Sequence, residues 1–374
     1  MWNWRDVQDF ITNHIVIMPE YTKVKELVRD EDFVSGFVWR IAYEAATLET
    51  IDADHHVRVL INDVCGRVQP AKTKVWLTGI TLSEDEIHIS ASLTLRRSTR
   101  LDMQEKIRIQ DLHHSHGFKS RVHFSCIAEF SVPASRPFEH QRYVDQLLTV
   151  LQLFRLGSVS APRYEIQVDS FSALSTVGFG GLDRIGRLAY EISKEDAPKL
   201  KHMLEMLMPM VPTIYSTDGK QTFLSSAVHW YSESLLAIGP PEAPVAFAVA
   251  ALEALFLGAE TTTEVSYRLQ QRVISLLRCF GWPTLEMKKD LTATYGIRSK
   301  YFHGAEQRKK AEDLKALFVR IGEYARVSCL VWLLLLATHK KDEVLELLEN
   351  ALLDGDTFIR LKEWCNPIAF ATRL

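Results

Sequence analysis

The sequence predicts an α+β protein in which a strand-rich N-terminal domain is followed by an all-α C-terminal domain. Two observations support this fold class. Between residues 57 and 168, short segments rich in β-branched and aromatic residues recur between turn-like breaks. After residue 212, apolar residues recur at helical spacing almost without interruption. A chain of 374 residues is long enough for two or three domains. The change in pattern places the domain boundary after residue 212, so that the two domains are residues 1–212 and 213–374.

The N-terminal domain is predicted to contain strands at residues 57–61, 74–78, 86–94, 121–130 and 164–168. In residues 86–94 apolar side chains alternate with more polar ones, which is typical of a strand with one buried face. A helix is predicted at residues 141–156, where Gly157 ends it, and a second helix runs from residue 193 towards 210.

The C-terminal domain is predicted to be a bundle of about six helices. They cover residues 222–237, 244–257, 261–280, 285–303, 311–338 and 342–353. Residues 244–257 are apolar nearly all round, which indicates a central buried helix. Thr261 and Glu264 fit a capping box at the start of the third helix, with Thr261 as the N-cap residue.

Composition and charge exclude several classes of protein. The net charge of −3 argues against a broadly basic surface, so any contact with nucleic acid would need a local patch. The five cysteines are scattered and form no Cys-x-x-Cys, which favours buried thiols in a reducing compartment over disulfides or zinc. The N-terminus lacks an apolar signal core, and the most apolar run, 327–337, is about half of the roughly 20 residues that a membrane span needs. A cytoplasmic protein without a membrane segment is therefore expected.

The main candidate site is a pair of residues, Arg298 and His303, at the end of the predicted helix 285–303. Arginine carries a permanent forked cation that matches phosphate oxygens. Histidine can accept and release a proton near neutral pH. Because Gly304 follows the histidine, the helix is expected to end at this point. Together the two side chains could break a phosphodiester bond without a metal ion.

The position of Arg298 on its helix is unusual for a charged residue. Leu291, Tyr295, Arg298 and Phe302 fall on one face at helical spacing, so the arginine interrupts an otherwise apolar stripe. A charge in that place is costly unless it meets a counter-ion, a partner subunit or a ligand. Basic residues before and after the pair are predicted to form the local RNA-binding patch: Lys288, Lys289, Lys300, Arg308, Lys309 and Lys310.

The spacing of the pair alone does not establish a site. A match of this kind arises about two or three times by chance in a chain with this many arginines and histidines. A second example is Arg108, which stands before His113 and His114. The alternative interpretation is that Arg298 forms a structural ion pair in the bundle and that His303 only ends the helix.

Residues 222–353 resemble the Apea-like branch of the HEPN superfamily. The resemblance rests on three segments. The first is Ala251-Leu252-Glu253-Ala254-Leu255-Phe256, and the second is the pattern Glu264-x-x-Tyr267-Arg268-Leu269-x-x-Arg272-Val273. The third is residues 295–304, which contain the Arg-x4-6-His signature and its trailing glycine. The order of the segments and the helix lengths also agree with that family.

The resemblance implies a metal-independent endoribonuclease that works as a homodimer, with Arg298 and His303 of both subunits converging on one cleft and no cofactor. His303 would move the proton of a ribose 2′-hydroxyl, and Arg298 would hold the scissile phosphate. Ser299, Glu253, Arg268 and Arg272 are then supporting residues. Glu253 is most simply a buried partner of Arg268, Arg272 or Arg298, and it could also orient the catalytic arginine.

The family further suggests tRNA or another structured cellular RNA as substrate, and a role in stress or anti-phage defence. The N-terminal domain would then select substrate or sense a phage or cellular trigger. The alternative is a non-catalytic HEPN module that binds RNA or a nucleotide, or a dimerising scaffold. Ser299 favours this alternative, because many catalytic members carry Asn, Asp or His after the arginine.

Three weaker motifs are interpreted as structural. The clusters 52–56 and 113–116 contain histidines that could suggest a metal site, but adjacent histidines rarely point at one ion, so solvated loops are expected. The glycine-rich segment 178–181 lacks the Gly-Lys-Ser/Thr ending of a phosphate-binding loop and is expected to be a turn.

Overall fold

The structure is a computed structural model that describes residues 52–65, 69–100, 102, 125–134, 137–168, 176–178, 188–214, 222–258, 264–304 and 310–366. Several features of the sequence lie outside these residues. They are the histidines at 113, 114 and 116 with Arg108, the start of the predicted strand at 121–124, the threonines at 261–263, and the basic residues Arg308 and Lys309.

The N-terminal part contains a six-stranded antiparallel sheet and a parallel pair of short strands. Its helices are α1 (Ala53–Val64), α2 (Pro137–Phe154) and α3 (Ala197–Leu207), and its strands are β1 (Gln69–Thr78), β2 (Ile80–Leu82), β3 (Glu86–His88), β4 (Leu93–Arg97), β5 (Cys126–Ala134), β6 (Ser160–Val168), β7 (Thr176–Gly178) and β8 (Tyr190–Ile192). The large sheet has the order β3-β4-β5-β1-β6-β7, and β2 pairs with β8.

The central strand β1 fixes the register of the sheet. Val75 lies opposite Ala128 of β5 on one side and Tyr164 of β6 on the other. These three side chains are buried on the same face, and α2 packs against β5 and β6. The predicted strands at 74–78 and 164–168 and the helix at 141–156 are therefore confirmed, as is the described part of the strand at 121–130.

The prediction of a strand at residues 57–61 is wrong, because this segment belongs to α1. The side chain of Asp52 accepts a hydrogen bond from the backbone N–H of His55 at 2.9 Å and so caps the helix. His56, Val59 and Leu60 are buried at helical spacing. The expected solvated loop at 52–56 is thus the start of a helix, with His56 in the interior.

Residues 86–94 form a hairpin rather than one strand. Strand β3 ends at His88 and β4 begins at Leu93, with Ile87 opposite Leu95. The turn is closed by the side-chain oxygen of Ser90, which accepts a hydrogen bond from the backbone N–H of Leu93 at 3.1 Å. Local serine–backbone hydrogen bonds of this kind compete with extended pairing.

The described residues of the C-terminal part form helices and the loops that connect them. Its helices are α4 (Phe223–Leu236), α5 (Ala243–Phe256), α6 (Val265–Arg278), α7 (Thr284–Phe302), α8 (Ala311–Leu335), α9 (Lys341–Asn350) and α10 (Gly355–Cys365). The first six correspond to the predicted helices. Almost every residue of α5 is buried, and it packs against α4, α7 and α8, as the all-round apolar pattern predicts. None of the described helices is long and apolar enough to cross a membrane.

Two details at helix starts differ from the prediction. Helix α6 begins at Val265, and Glu264 is its N-cap residue in the left-handed conformation with φ 55°, so Glu264 cannot be the third residue of a helix that starts at Thr261. Helix α10 was not predicted. Its N-cap is Asp354, which accepts a hydrogen bond from the backbone N–H of Thr357 at 2.8 Å, a signal that the sequence does contain.

A buried polar junction ties the two parts of the chain together. The last carbonyl groups of a helix have no partner within the helix. At the end of α2, Tyr190 donates to the Leu151 carbonyl at 2.7 Å and Tyr231 donates to the Gln152 carbonyl at 2.9 Å. Arg326 of α8 donates to the Leu153 carbonyl at 2.6 Å and to the Phe154 carbonyl at 3.2 Å. We call this cluster the α2 junction. It joins α2 to the β8, α4 and α8 segments through groups that are out of contact with water.

Candidate functional site

Helix α7 carries Arg298 from the core to the surface. Along its stripe Leu291 is buried, Tyr295 is half-buried, the Arg298 side chain is 29% exposed and Phe302 is 45% exposed. The start of the helix is anchored by Asp290, which accepts hydrogen bonds from Arg320 at 2.8 and 3.0 Å and from the Tyr324 hydroxyl at 3.0 Å. The Arg298 side chain therefore lies near the surface on a helix that is fixed against α8.

Glu253 of α5 is the counter-ion of Arg298. Nη2 of Arg298 lies 2.8 Å from Oε2 of Glu253, and the Glu253 side chain is only 14% exposed. Burial raises the pKa of the Glu253 carboxyl, and the neighbouring Arg298 opposes that rise. This ion pair shows that the partner of Glu253 is Arg298 and not Arg268 or Arg272.

The guanidinium is held on a second side by an aromatic ring. Cζ of Arg298 lies 4.9 Å from the centre of the Phe302 ring, one helical turn further on, within the range of a cation–π contact. Nε of Arg298 is buried and has no hydrogen-bond partner among the described residues. Arg298 is thus a cation held in place by Glu253 and Phe302, with one buried donor left without a partner among the described residues.

His303 lies at the very end of α7 and is exposed. Its backbone N–H donates to the Ser299 carbonyl at 3.1 Å, and the N–H of Gly304 donates to the Tyr301 carbonyl at 3.3 Å. Gly304 has φ 69°, the left-handed conformation that a glycine after a helix allows. The predicted helix end is therefore confirmed.

Arg298 and His303 of one chain do not contact each other in the described structure. Residues five apart on a helix point about 140° away from one another, since each residue turns the helix by about 100°. Arg298 faces α5, while His303 faces solvent. One chain therefore presents the two groups separately.

A partly exposed group of aromatic rings lies beside the pair. Phe247 of α5 contacts Trp230 of α4 at 5.4 Å between ring centres, Tyr301 at 5.7 Å and Phe302 at 6.4 Å. None of these four rings is buried. We call them the aromatic shelf. No sequence pattern indicates this shelf, because its members come from three helices that only tertiary packing brings together.

The supporting residues do not form one cluster. Ser299 is half-buried beside Arg298, and Arg268 is half-buried on α6, with no ion pair within the described residues. Arg272 is buried and pairs with Glu349 of α9 at 2.6 Å, and it also donates to the Phe256 carbonyl at the end of α5. Arg272 therefore fixes α5 rather than contacting Arg298.

A lysine side chain binds the free carbonyl groups at the end of α5. Nζ of Lys341 donates to the carbonyls of Ala254 at 3.0 Å and Leu257 at 2.8 Å, and it lies 4.1 Å from the centre of the Phe223 ring. Burial lowers the pKa of Lys341 to about 8. Lys341 and Arg272 together hold the helix end that carries Glu253, and nothing in the sequence pattern marked Lys341.

The predicted basic patch is divided. Lys300 is exposed next to the pair, and Lys310 is exposed as the N-cap residue of α8. Lys288 and Lys289 are exposed near the start of α7, roughly 15 Å along the helix axis from Arg298. Among the described residues there is no group of three or more His, Cys, Asp and Glu side chains that could hold a metal ion.

Comparison with known proteins gave no match. A scan against protein-family models, a search of curated proteins and a search of solved structures each returned none.

Proposed function

We propose that the protein is a metal-independent endoribonuclease of the HEPN type that acts as a homodimer. The observation that carries the proposal is the end of α7, where Glu253 and Phe302 hold Arg298 near the surface and His303 is exposed five residues further along, on a different side of the helix. The Arg298 side chain is paired with Glu253 and is still 29% exposed near the end of the helix.

The two groups supply the chemistry of RNA transesterification. His303 takes the proton of a ribose 2′-hydroxyl, and the 2′-oxygen attacks the adjacent phosphorus. Arg298 donates to the phosphate oxygens and offsets the negative charge that grows on them. The bond to the 5′-oxygen breaks, and a second imidazole protonates the leaving oxygen. The products are a 2′,3′-cyclic phosphate and a 5′-hydroxyl end.

The aromatic shelf favours RNA as the ligand. Unpaired bases stack on exposed aromatic rings, and each such contact contributes about 1–3 kcal/mol to binding. The rings of Trp230, Tyr301 and Phe302 are accessible, and Lys300 lies close by to contact a phosphate. Stacked bases would place the intervening phosphates near Arg298.

A second subunit explains the separation of the pair. Because Arg298 and His303 of one chain point in different directions, each chain provides half of a site. In a symmetric dimer whose α7 ends meet, Arg298 of one chain faces His303 of its partner across the cleft. Two imidazoles are then available, one as base and one as acid.

The resemblance noted in the sequence extends the proposal beyond the site. It favours tRNA or another structured cellular RNA as substrate and a role in the cytoplasm, in stress or anti-phage defence. The N-terminal part, which is packed onto α8 through the α2 junction, would sense the trigger or select the substrate.

One observation favours a second candidate, a non-catalytic module that binds RNA or a nucleotide. Arg298 is already paired with Glu253, and the hydroxyl of Ser299 makes no hydrogen bond with a described residue. Such an arginine could hold a phosphate in place without cleaving the chain.

The test is incubation of the pure protein with total RNA in excess EDTA. We expect cleavage that persists without divalent ions, with 2′,3′-cyclic phosphate and 5′-hydroxyl ends, and no cleavage of single-stranded DNA, since DNA lacks the 2′-hydroxyl. RNA that is bound but left intact would support the second candidate. RNA that is neither bound nor cut would contradict both.

A further inference from the structure

The last turn of α5 carries the counter-ion of Arg298. Glu253 lies three residues before the end of the helix at Phe256, in the turn where a helix leaves carbonyl groups unpaired. The backbone N–H of Leu257 closes this turn by donating to the Glu253 carbonyl at 3.0 Å. The position of the Glu253 carboxylate therefore depends on how firmly this turn is held.

Lys341 holds the turn with its ammonium group. Its Nζ donates to the Ala254 carbonyl, next to Glu253 in the chain, at 3.0 Å and to the Leu257 carbonyl at 2.8 Å. A cation at the carboxyl end of a helix also offsets the negative end of the helix dipole. Because burial lowers the pKa of Lys341 only to about 8, the amine still carries most of its charge at pH 7.

Lys341 serves α5 rather than its own helix. It is the first residue of α9, where the positive end of the helix dipole makes a cation unfavourable. It forms no ion pair with a described residue, and its Nζ lies 4.1 Å from the centre of the Phe223 ring. That ring packs edge-on against Trp332, which is 0% exposed, with 5.8 Å between ring centres. The ammonium group is therefore fixed against the core of the bundle.

We propose that Lys341 is a positioning residue for Arg298, which acts through the last turn of α5 and the carboxylate of Glu253. The ammonium group contacts the turn directly, and Oε2 of Glu253 lies 2.8 Å from Nη2 of Arg298. Without the ammonium group the turn frays more easily, and the carboxylate holds the guanidinium less firmly. The effect of Lys341 on RNA cleavage rests on the proposed function, whereas its effect on Arg298 does not.

The reaction of Arg298 with phenylglyoxal tests the proposal without RNA. The reagent modifies accessible guanidinium groups, and an ion pair protects them. Methionine keeps the apolar stem of Lys341 but donates no hydrogen bond. In the folded full-length Lys341→Met variant, mass spectrometry should therefore show Arg298 modified about 3- to 10-fold faster than in the wild type, as for residues coupled in one hydrogen-bond network.

Two further variants show whether the effect passes through Glu253. In a Glu253→Gln background, Lys341→Met should change the reactivity of Arg298 by less than about twofold, because the link is already broken. The matched control is Lys340→Met. Lys340 is the exposed N-cap residue of α9, and its replacement should leave Arg298 as protected as in the wild type.

The same substitution should slow RNA cleavage. The single-turnover rate of Lys341→Met in EDTA should fall by about 10- to 100-fold, as expected when a catalytic group is displaced by a change outside the site. Lys341→Arg keeps the charge and the donors, so it should restore most of the rate. A wild-type protein that cuts no RNA would contradict the proposed function but not the result for Arg298 reactivity.

Three results would overturn the proposal. One is folded Lys341→Met protein in which Arg298 reacts at the wild-type rate. Another is an equal increase in reactivity with and without Glu253. The third is an equal increase in Lys340→Met. If the methionine variant does not fold, Lys341→Gln replaces it with the same expectation, since its shorter, uncharged side chain also holds the turn less firmly.

Discussion

Replacement of His303 by alanine is expected to lower the rate of RNA cleavage by about 100- to 10,000-fold, the range that general acid–base catalysis contributes. The methyl group of alanine can neither accept the 2′-hydroxyl proton nor protonate the leaving oxygen. Because His303 is exposed and its side chain makes no hydrogen bond with a described residue, the folded structure should not change. The measurement is the single-turnover cleavage rate of an RNA substrate in EDTA.

His88→Ala is the matched control. The His88 side chain is 74% exposed at the end of β3 and hydrogen-bonds Thr94 at 3.0 Å. It should cleave RNA at the wild-type rate. If the His303 variant also retained the wild-type rate, or if both variants lost activity equally, His303 could not be the catalytic residue.

Replacement of Arg326 by methionine is expected to lower the free energy of unfolding by about 3–5 kcal/mol, the usual effect of breaking a buried ion pair from one side. The Arg326 side chain is 0% exposed and pairs with Glu323 at 2.5 Å. Methionine fills the space of the chain but offers no donor, so the carbonyls of Leu153 and Phe154 and the carboxylate of Glu323 lose their partner. Denaturant unfolding measures the loss.

Arg360→Met serves as the control for Arg326. Arg360 is exposed on α10 and lies 5.5 Å from the centre of the Trp364 ring. Losing this contact should cost at most about 1 kcal/mol, as is usual for exposed cation–π contacts. Equal stabilities for the two variants would mean that the α2 junction does not hold the two parts of the chain together.

The helices of the C-terminal part could be predicted because their signal is local. A period of 3.6 residues, a proline after Gly239 and the glycine at 304 mark their faces and ends without tertiary information. The wrong prediction of a strand at residues 57–61, which belong to α1, also came from a local signal. Val57, Val59 and Ile61 alternate as in a strand, but the cap at Asp52 and burial at helical spacing decide the structure.

The sequence predicts the residues on α7 that belong to the candidate site but not the residues of other helices that contact them. The stripe on α7 indicates that Arg298 needs a counter-ion, but it cannot choose Glu253, since the pairing depends on how α5 packs against α7. The partner of Arg272 is Glu349, 77 residues away, which no spacing rule suggests. The aromatic shelf is likewise a product of packing, because Trp230 and Phe247 lie outside the segments that carry the family resemblance.

The central claim is that Arg298 of one subunit and His303 of another act in one cleft, and mixing two inactive variants tests it most directly. Arg298→Ala and His303→Ala are each expected to be inactive. After subunit exchange, the mixed dimers contain one intact Arg298 facing one intact His303, so RNA cleavage in EDTA should rise above the level of either parent, although it should stay slower than in the wild type because the second imidazole is missing. Two different affinity tags verify that mixed dimers form. Mixed dimers as inactive as their parents, beside an active wild-type protein, would contradict the shared site.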